Sequence, residues 1–289
     1  MKNKVLITGA TGPTGLNAIH HLLELHIPVR AMVHSDDDRS RALITAGAEV
    51  VVGDLSDFNS VRSALEGIQR AYFVYPATVS GIMQATAYFA QAAREVKLEL
   101  IVNMSQRTAR RESNSHAAQN HWISEQLFDY SGVPVTHLRP TLFDEWLLYF
   151  AKPIKEQNRL ISPFGEASYA SLAGEDIGRV IASVLANPKG HVGKTYELYG
   201  PHSMTQYDVA DMLTELLKRK ITYEPMTIHA FAELIKPVST PYFVQHISAV
   251  SQDFRDGIMT GNNNLVEEIT GRKPLPLRDF IKSNIQMFQ

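Results

Sequence analysis

A short apolar run, Val5-Leu6-Ile7, leads straight into glycines at positions 9, 12 and 15, and an amphipathic stretch follows from Leu16 to Leu25. No other part of the chain narrows its fold as much. The order strand, glycine-rich turn, helix gives a weak glycine pattern a definite structural meaning. Gly9 lets the chain turn sharply. Gly12 carries no side chain that could block a diphosphate. Gly15 lets the new helix lie close on the strand. The helix N-terminus then offers free N–H groups and a positive dipole end to phosphates. An ordinary strand-to-helix turn is the alternative, and the spacing, the flanks and the N-terminal position argue against it.

The pattern that follows is consistent with this start. Up to residue 140, strand signals at Val5–Thr8, Val29–Val33, Val50–Val52, Ala71–Tyr75, Leu98–Met104 and Val135–Leu138 alternate with helical stretches at Gly15–Leu25, Phe58–Leu65, Ile82–Val96 and Ser115–Tyr130. The strands are almost wholly apolar, as expected where both faces of a parallel sheet are covered by helices. Asp36, Asp37 and Asp38 read as the charged start of a further helix. Beyond Arg139-Pro140 the text changes to an aromatic-rich segment with Phe143, Trp146, Tyr149 and Phe150, which predicts a helix to about Gln157. A helix at Asp176–Leu185 and a strand at Thr195–Leu198 come next. The rest reads as mostly helical: Gln206–Leu217, Ile228–Ile235, Val244–Phe254 and Leu277–Ile285. The expected architecture is α/β: a doubly wound, Rossmann-type core over 1–140 and a smaller, mostly helical lobe over 141–289, interleaved with no clear linker. Ligands of such sheets lodge at the carboxyl ends of the strands.

Composition excludes several classes. The 289 residues contain no cysteine, so disulfides, thiolate metal sites and cysteine nucleophiles are out. The net charge of −2 gives no general attraction to nucleic acid or an anionic membrane. No apolar run is long enough to span a bilayer, and two early lysines run directly into a core strand; a cytoplasmic location is expected. No trio of side chains has metal-ligand spacing, and there is no Gly-x-Ser-x-Gly elbow for a hydrolase.

Several stretches together resemble one family. They are Thr8-Gly-Ala-Thr-Gly-x-x-Gly, Val29-Arg-Ala-Met-Val, Gly47-Ala-Glu-Val-Val-Val-Gly-Asp-Leu-Ser-Asp, and Gly132-Val-Pro-Val-Thr-His-Leu-Arg-Pro. Glu175-Asp-Ile-Gly, Gly193-Lys-Thr-Tyr-Glu-Leu-Tyr-Gly-Pro and Ile269-Thr-Gly-Arg-Lys-Pro complete the set. Taken over the whole chain, they resemble the NmrA-like branch of the atypical short-chain dehydrogenases/reductases. That branch is similar to quinone reductases, triphenylmethane dye reductases and NADP-sensing regulators.

The resemblance implies a nicotinamide dinucleotide, with Gly9, Thr11, Gly12, Pro13, Thr14 and Gly15 around the phosphates. His34 stands where NADP-preferring relatives often carry arginine, and Arg39 and Arg41 could add positive charge. Asp36 nearby would repel a 2′-phosphate and could instead serve NAD. NADP is the preferred reading and NAD the alternative. The resemblance places Asp54 and Leu55 beside the adenine, and Tyr75 and Pro76 along the cofactor. Each also has a plain structural reading, as a turn residue or a packing side chain.

The superfamily's Ser-Tyr-Lys catalytic set is incomplete here. Ser105 matches the serine, but alignment on Glu125 and Gly132-Val-Pro puts Ala117 at the tyrosine and His121 at the lysine. Without the phenol, alcohol–ketone chemistry is in doubt. His121, as a group titrating near neutrality, and Ser105 become the candidate catalytic pair. Phe143, Trp146 and Tyr149 are expected to wall a substrate cleft, and Pro241-Tyr242-Phe243, after a loop, could close over it. The reading is an NAD(P)H-dependent oxidoreductase acting on a quinone-, azo- or dye-like acceptor. The alternative is a non-catalytic NADP(H) sensor with a regulatory protein partner. A homodimer is left open.

Overall fold

The computed structural model describes residues 4–289. Its strands are β1 (Val5–Ile7), β2 (Val29–Val33), β3 (Glu49–Val52), β4 (Arg70–Phe73), β5 (Leu100–Met104), β6 (Val135–Pro140), β7 (Arg159–Ser162), β8 (Thr195–Leu198) and β9 (Thr222–Pro225). The helices of the first half are α1 (Pro13–Glu24), α2 (Asp38–Thr45), α3 (Phe58–Ala64), α4 (Ile82–Glu95) and α5 (His116–Ser131). Those of the second half are α6 (Trp146–Tyr149), α7 (Ala151–Gln157), α8 (Gly174–Ala186), α9 (Gln206–Leu217), α10 (Ile228–Ile235), α11 (Pro241–Arg255), α12 (Leu265–Thr270) and α13 (Leu277–Ser283).

Seven strands form one parallel sheet in the order β3-β2-β1-β4-β5-β6-β8. The period of two along the strands decides which face each side chain serves. Val5 and Ile7 of β1 join a core with Ala18, Ile19 and Leu22 of α1 and with Ile177, Val180 and Ile181 of α8. Leu6, between them, joins the opposite core with Val61 of α3, Phe89 of α4 and Phe128 of α5. There Phe73, Phe89 and Phe128 meet edge to face or tilted, with centroids 5.0–6.4 Å apart. Strands covered on both faces are mostly apolar, which is why they were visible in the sequence.

A third core lies beyond β6. It gathers Leu147, Ile154, Leu160, Phe164, Val209, Leu213, Phe254 and Phe280. This lobe is mostly helical, as expected, but it also holds a small sheet that the sequence did not show. β7 and β9 pair in parallel, with Leu160 opposite Tyr223. The expected helix to Gln157 is broken at Phe150 into α6 and α7. Pro241-Tyr242-Phe243 is the first turn of α11, with Thr240 as N-cap and proline at the first helical position. No helix among the described residues is long and apolar enough to cross a membrane.

Candidate active site

The glycine turn divides its work among three residues. Gly9 has φ +56°, and a Cβ there would lie 2.4 Å from Val74 Cγ1. A Cβ on Gly15 would meet the Gly9 carbonyl oxygen at 2.4 Å and Ala10 Cα at 3.1 Å, so α1 lies directly on the turn. A Cβ on Gly12 would meet only the Gly9 carbonyl oxygen, at 3.3 Å. Gly12 is also the N-cap of α1 and offers no capping side chain. Thr14 Oγ1 and Tyr72 Oη share a buried hydrogen bond of 2.9 Å, which ties the start of α1 to β4. The Val74 amide donates to Thr8 Oγ1 at 2.9 Å and holds the ends of β1 and β4 in step.

Above this turn lies a cleft of about 540 Å³, running along the carboxyl ends of β1, β4, β5 and β6. Its size is that of a site for a small ligand. The near wall holds Gly9, Gly12, Pro13, Thr14, Tyr75 and Pro76. The floor holds Ser105, His121 and Thr141, and the far wall holds Phe143, Trp146, Phe243 and His246. Four buried side-chain atoms along it have no hydrogen-bond partner among the described residues: Ser105 Oγ, Gln106 Nε2, His121 Nδ1 and Thr141 Oγ1. A buried polar group left unpaired costs roughly 1–3 kcal/mol. Four of them facing one cavity fit a ligand with several hydrogen-bonding groups at that end, as a ribose and a carboxamide have.

His121 is not a group that titrates near neutrality. Burial pushes its imidazole down to about 3, and His246 close by adds to the shift. Burial takes His246 itself down to about 4, against the pull of Asp253. Its Nδ1 lies 2.7 Å from Ser115 Oγ, the N-cap of α5. Both rings are neutral at pH 7 and can give or take a hydrogen bond, but neither is a cationic acid. Ala117 is buried on α5, so no phenol stands at that position.

The remaining expected residues lie outside the lining. His34 is exposed just past the end of β2, near the Asp54 carboxylate, which is held below its usual pKa. The main cause for Asp54 is local: its Oδ1 accepts from the Ser56 amide at 2.8 Å and the Ser56 hydroxyl at 2.7 Å, so it closes a turn. Leu55 packs against the core beneath α3. Arg39 gives its guanidinium to Asp37 Oδ2 at 2.7 and 3.1 Å, and Arg41 pairs with Asp38 at 2.7 Å. The cations near His34 are thus held by carboxylates of their own loop. Thr11 is half-buried in the turn. Tyr149 is 77% exposed and touches the cleft only through Trp146, 5.2 Å away ring to ring.

Sequence reasoning missed Gln106, Arg107, Thr108 and Thr141. The signal was present, since each sits just past the carboxyl end of β5 or β6. Pro241-Tyr242-Phe243 reads as a segment able to close over the site, and Phe243 of α11 lines the far wall, but no local signal shows what holds that helix there. That helix is pinned over the cleft by long-range bonds. Thr240 Oγ1 donates to Thr78 O at 2.6 Å, and Arg110 grips the Asp253 carboxylate with two bonds of 2.9 and 2.5 Å. Trp146 and Phe243 stack at 6.3 Å and 21°.

The strand order, the glycine turn after β1 and the cleft over the strand ends define a Rossmann-type protein of the dinucleotide-binding class. Within that class, the chain belongs to the NmrA-like family, which matches residues 1–273. It is 26% identical to the NAD(P)H azoreductase of Xenophilus azovorans, over 98% of this chain and 99% of that protein. It is 28% identical to quinone oxidoreductase 2 of Escherichia coli (strain K12), over 82% of each. The crystal structure of the Escherichia coli NADPH-dependent quinone oxidoreductase QOR2 complexed with NADPH superposes with a TM-score of 0.87. That alignment has 25% identity and covers 97% of this chain and 99% of that one.

Proposed function

We propose that this protein is an NAD(P)H-dependent reductase, with NADPH as the preferred coenzyme, that passes hydride to a planar conjugated acceptor such as a quinone, an azo compound or a related dye. The observation that carries the reading is the cleft itself. Unpartnered polar atoms gather at its floor, aromatic rings form its far wall, and its histidines are neutral. The relatives named above support it.

On this reading Gly12, Pro13, Thr14 and the α1 N-terminus take the diphosphate. His34 and Asp54 stand at the adenosine end, and Tyr75 and Pro76 flank the chain of the coenzyme. Ser105, Gln106, His121 and Thr141 hold the nicotinamide end and the acceptor. When bound, the reduced nicotinamide supplies two electrons and one proton as hydride. The protein's own part is to orient and to polarise. The Ser105 hydroxyl and the Gln106 amide can donate to an acceptor oxygen or nitrogen, and the neutral His121 ring can add a further bond. Trp146 and Phe243 shed water from the ring faces.

The phenol of Tyr75, the one tyrosine among the described residues of the lining, donates to Ser80 O and does not stand in for the missing proton donor. A ketone would leave an alkoxide that needs an acid at once. A quinone leaves an anion spread over its π-system, and water through the open mouth of the cleft can supply the second proton. The residues therefore favour conjugated acceptors over simple carbonyls.

Oxidation of NADPH with a panel of quinones and azo dyes tests this. Turnover above background with at least one acceptor is expected. The kcat profile should be flat between about pH 6 and 8, since neither cleft histidine titrates there. Absence of turnover across the panel overturns the reductase reading. If calorimetry then still shows tight NADPH binding, the NADP(H)-sensor reading takes its place.

A further inference from the structure

The cleft carries one formal charge whose position the proposed reaction does not use. Arg107 is the sole lysine, arginine, aspartate or glutamate among the described residues of its lining. It follows β5, and its backbone amide donates to Pro140 O at 3.0 Å. Its Nε donates to Tyr199 Oη at 2.6 Å, and the Glu197 carboxylate lies 3.6 Å from the same nitrogen. Tyr199 comes just after β8, the strand at the far edge of the sheet. β4, β5 and β6 stand between that strand and the glycine turn at β1. The guanidinium is thus held at the end of the cleft away from the phosphate-binding turn. The Tyr199 bond fixes its Nε edge, and neither Nη nitrogen makes a hydrogen bond among the described residues. The side chain is only 23% exposed. An unpaired arginine edge in a mostly apolar cavity is a strong site for an anion, because its planar fork matches a carboxylate, sulfonate or phosphate and water screens it poorly.

We propose that Arg107 docks an anionic substituent of the acceptor, so that the preferred substrates are planar conjugated molecules carrying a carboxylate, sulfonate or phosphate monoester. This rests on the reductase reading and narrows it. No carboxylate of the lining opposes such a group, and Glu197 lies on the edge of the guanidinium already bonded to Tyr199.

The test uses naphthoquinone and naphthoquinone sulfonate as a matched pair, with the wild type, Arg107→Met and Arg107→Lys, at saturating NADPH. The readout is the ratio of kcat/KM for the sulfonate over the parent, which cancels general damage to the site. Arg107→Met should lower that ratio about tenfold, chiefly through KM, and Arg107→Lys should restore part of it. A ratio that stays within about twofold in Arg107→Met overturns the proposal. So does a loss of NADPH affinity in that variant, because Arg107 would then serve the coenzyme. Calorimetry with naphthalene sulfonate and naphthol, on the same proteins with NADP+ present, separates the two claims. An Arg107-dependent preference for the sulfonate without turnover of either quinone keeps the anion site and sinks the reductase. Turnover without that preference does the reverse.

Discussion

Gly9, Gly12 and Gly15 look equivalent as letters, yet their surroundings predict different results for substitution. At Gly15 any side chain drives α1 off the turn, since its Cβ would lie 2.4 Å from a carbonyl oxygen. Gly15→Ala should destabilise the fold by about 1–3 kcal/mol in denaturant unfolding. At Gly12 the only near atom is 3.3 Å away and the residue lines the cleft. Gly12→Val should keep the wild-type unfolding midpoint within about 1 kcal/mol and lose NADPH binding by calorimetry. Unchanged affinity would show that this turn is not the coenzyme site. The glycine spacing made this turn legible, because the constraint is local backbone geometry. The state of His121 was not legible. Its position was found by alignment, but its low pKa comes from burial among residues as distant in sequence as His246.

Elements were readable in proportion to how locally their stability is determined. β1, β2 and β5 announced themselves because burial on both faces requires mostly apolar runs, broken only by Arg30 in β2 and Asn103 in β5. α1 showed one apolar stripe because it buries one side, whereas α8 buries most of its length, including Ile177, Val180, Ile181 and Val184. β7 and β9 escaped notice. Each has four residues, β9 reads Thr-Tyr-Glu-Pro with only Tyr223 buried, and their pairing joins distant parts of the chain. α2 was read only as a start, Asp36–Asp38; the N-cap is Asp37, which accepts from the amides of Arg39 and Ser40. The aromatic segment after β6 was recognised as one unit, but within α6 Trp146 lines the cleft wall while Tyr149 lies on the surface. Which aromatic faces the ligand is set by how α6 packs, which the residue types alone do not show. Which helix closes the far wall is decided by the Thr78, Arg110 and Ser115 contacts of α11, all long-range.

Across the whole molecule, the sheet with its two helical layers meets the third core at the cleft, and that junction holds groups whose charge is suppressed. His121 and His246 have folded pKa values of about 3 and about 4, below the free value of about 6.5. The unfolded chain therefore takes up protons first as pH falls. The stability they protect is complete above about pH 6.5 and is lost on the way down. Asp144, buried in the third core, is raised from 3.8 to about 7 and acts in the opposite sense, its contribution fading as pH rises through 7. The two imidazoles outweigh the Asp144 carboxyl, so stability should rise between about pH 4.5 and 6, by roughly 1 kcal/mol per pH unit. His121→Asn should remove most of that slope in urea unfolding. A slope that persists in the variant would mean that the ring is not held neutral. The central claim concerns the ligand of that same junction. A crystal of the protein grown with millimolar NADPH tests it most directly. The account predicts the diphosphate against Gly12 and the α1 N-terminus, with the nicotinamide among Ser105, His121 and Thr141 and one ring face open toward Trp146 and Arg107. A cleft that stays empty of coenzyme, or holds it with the nicotinamide elsewhere, would contradict the account.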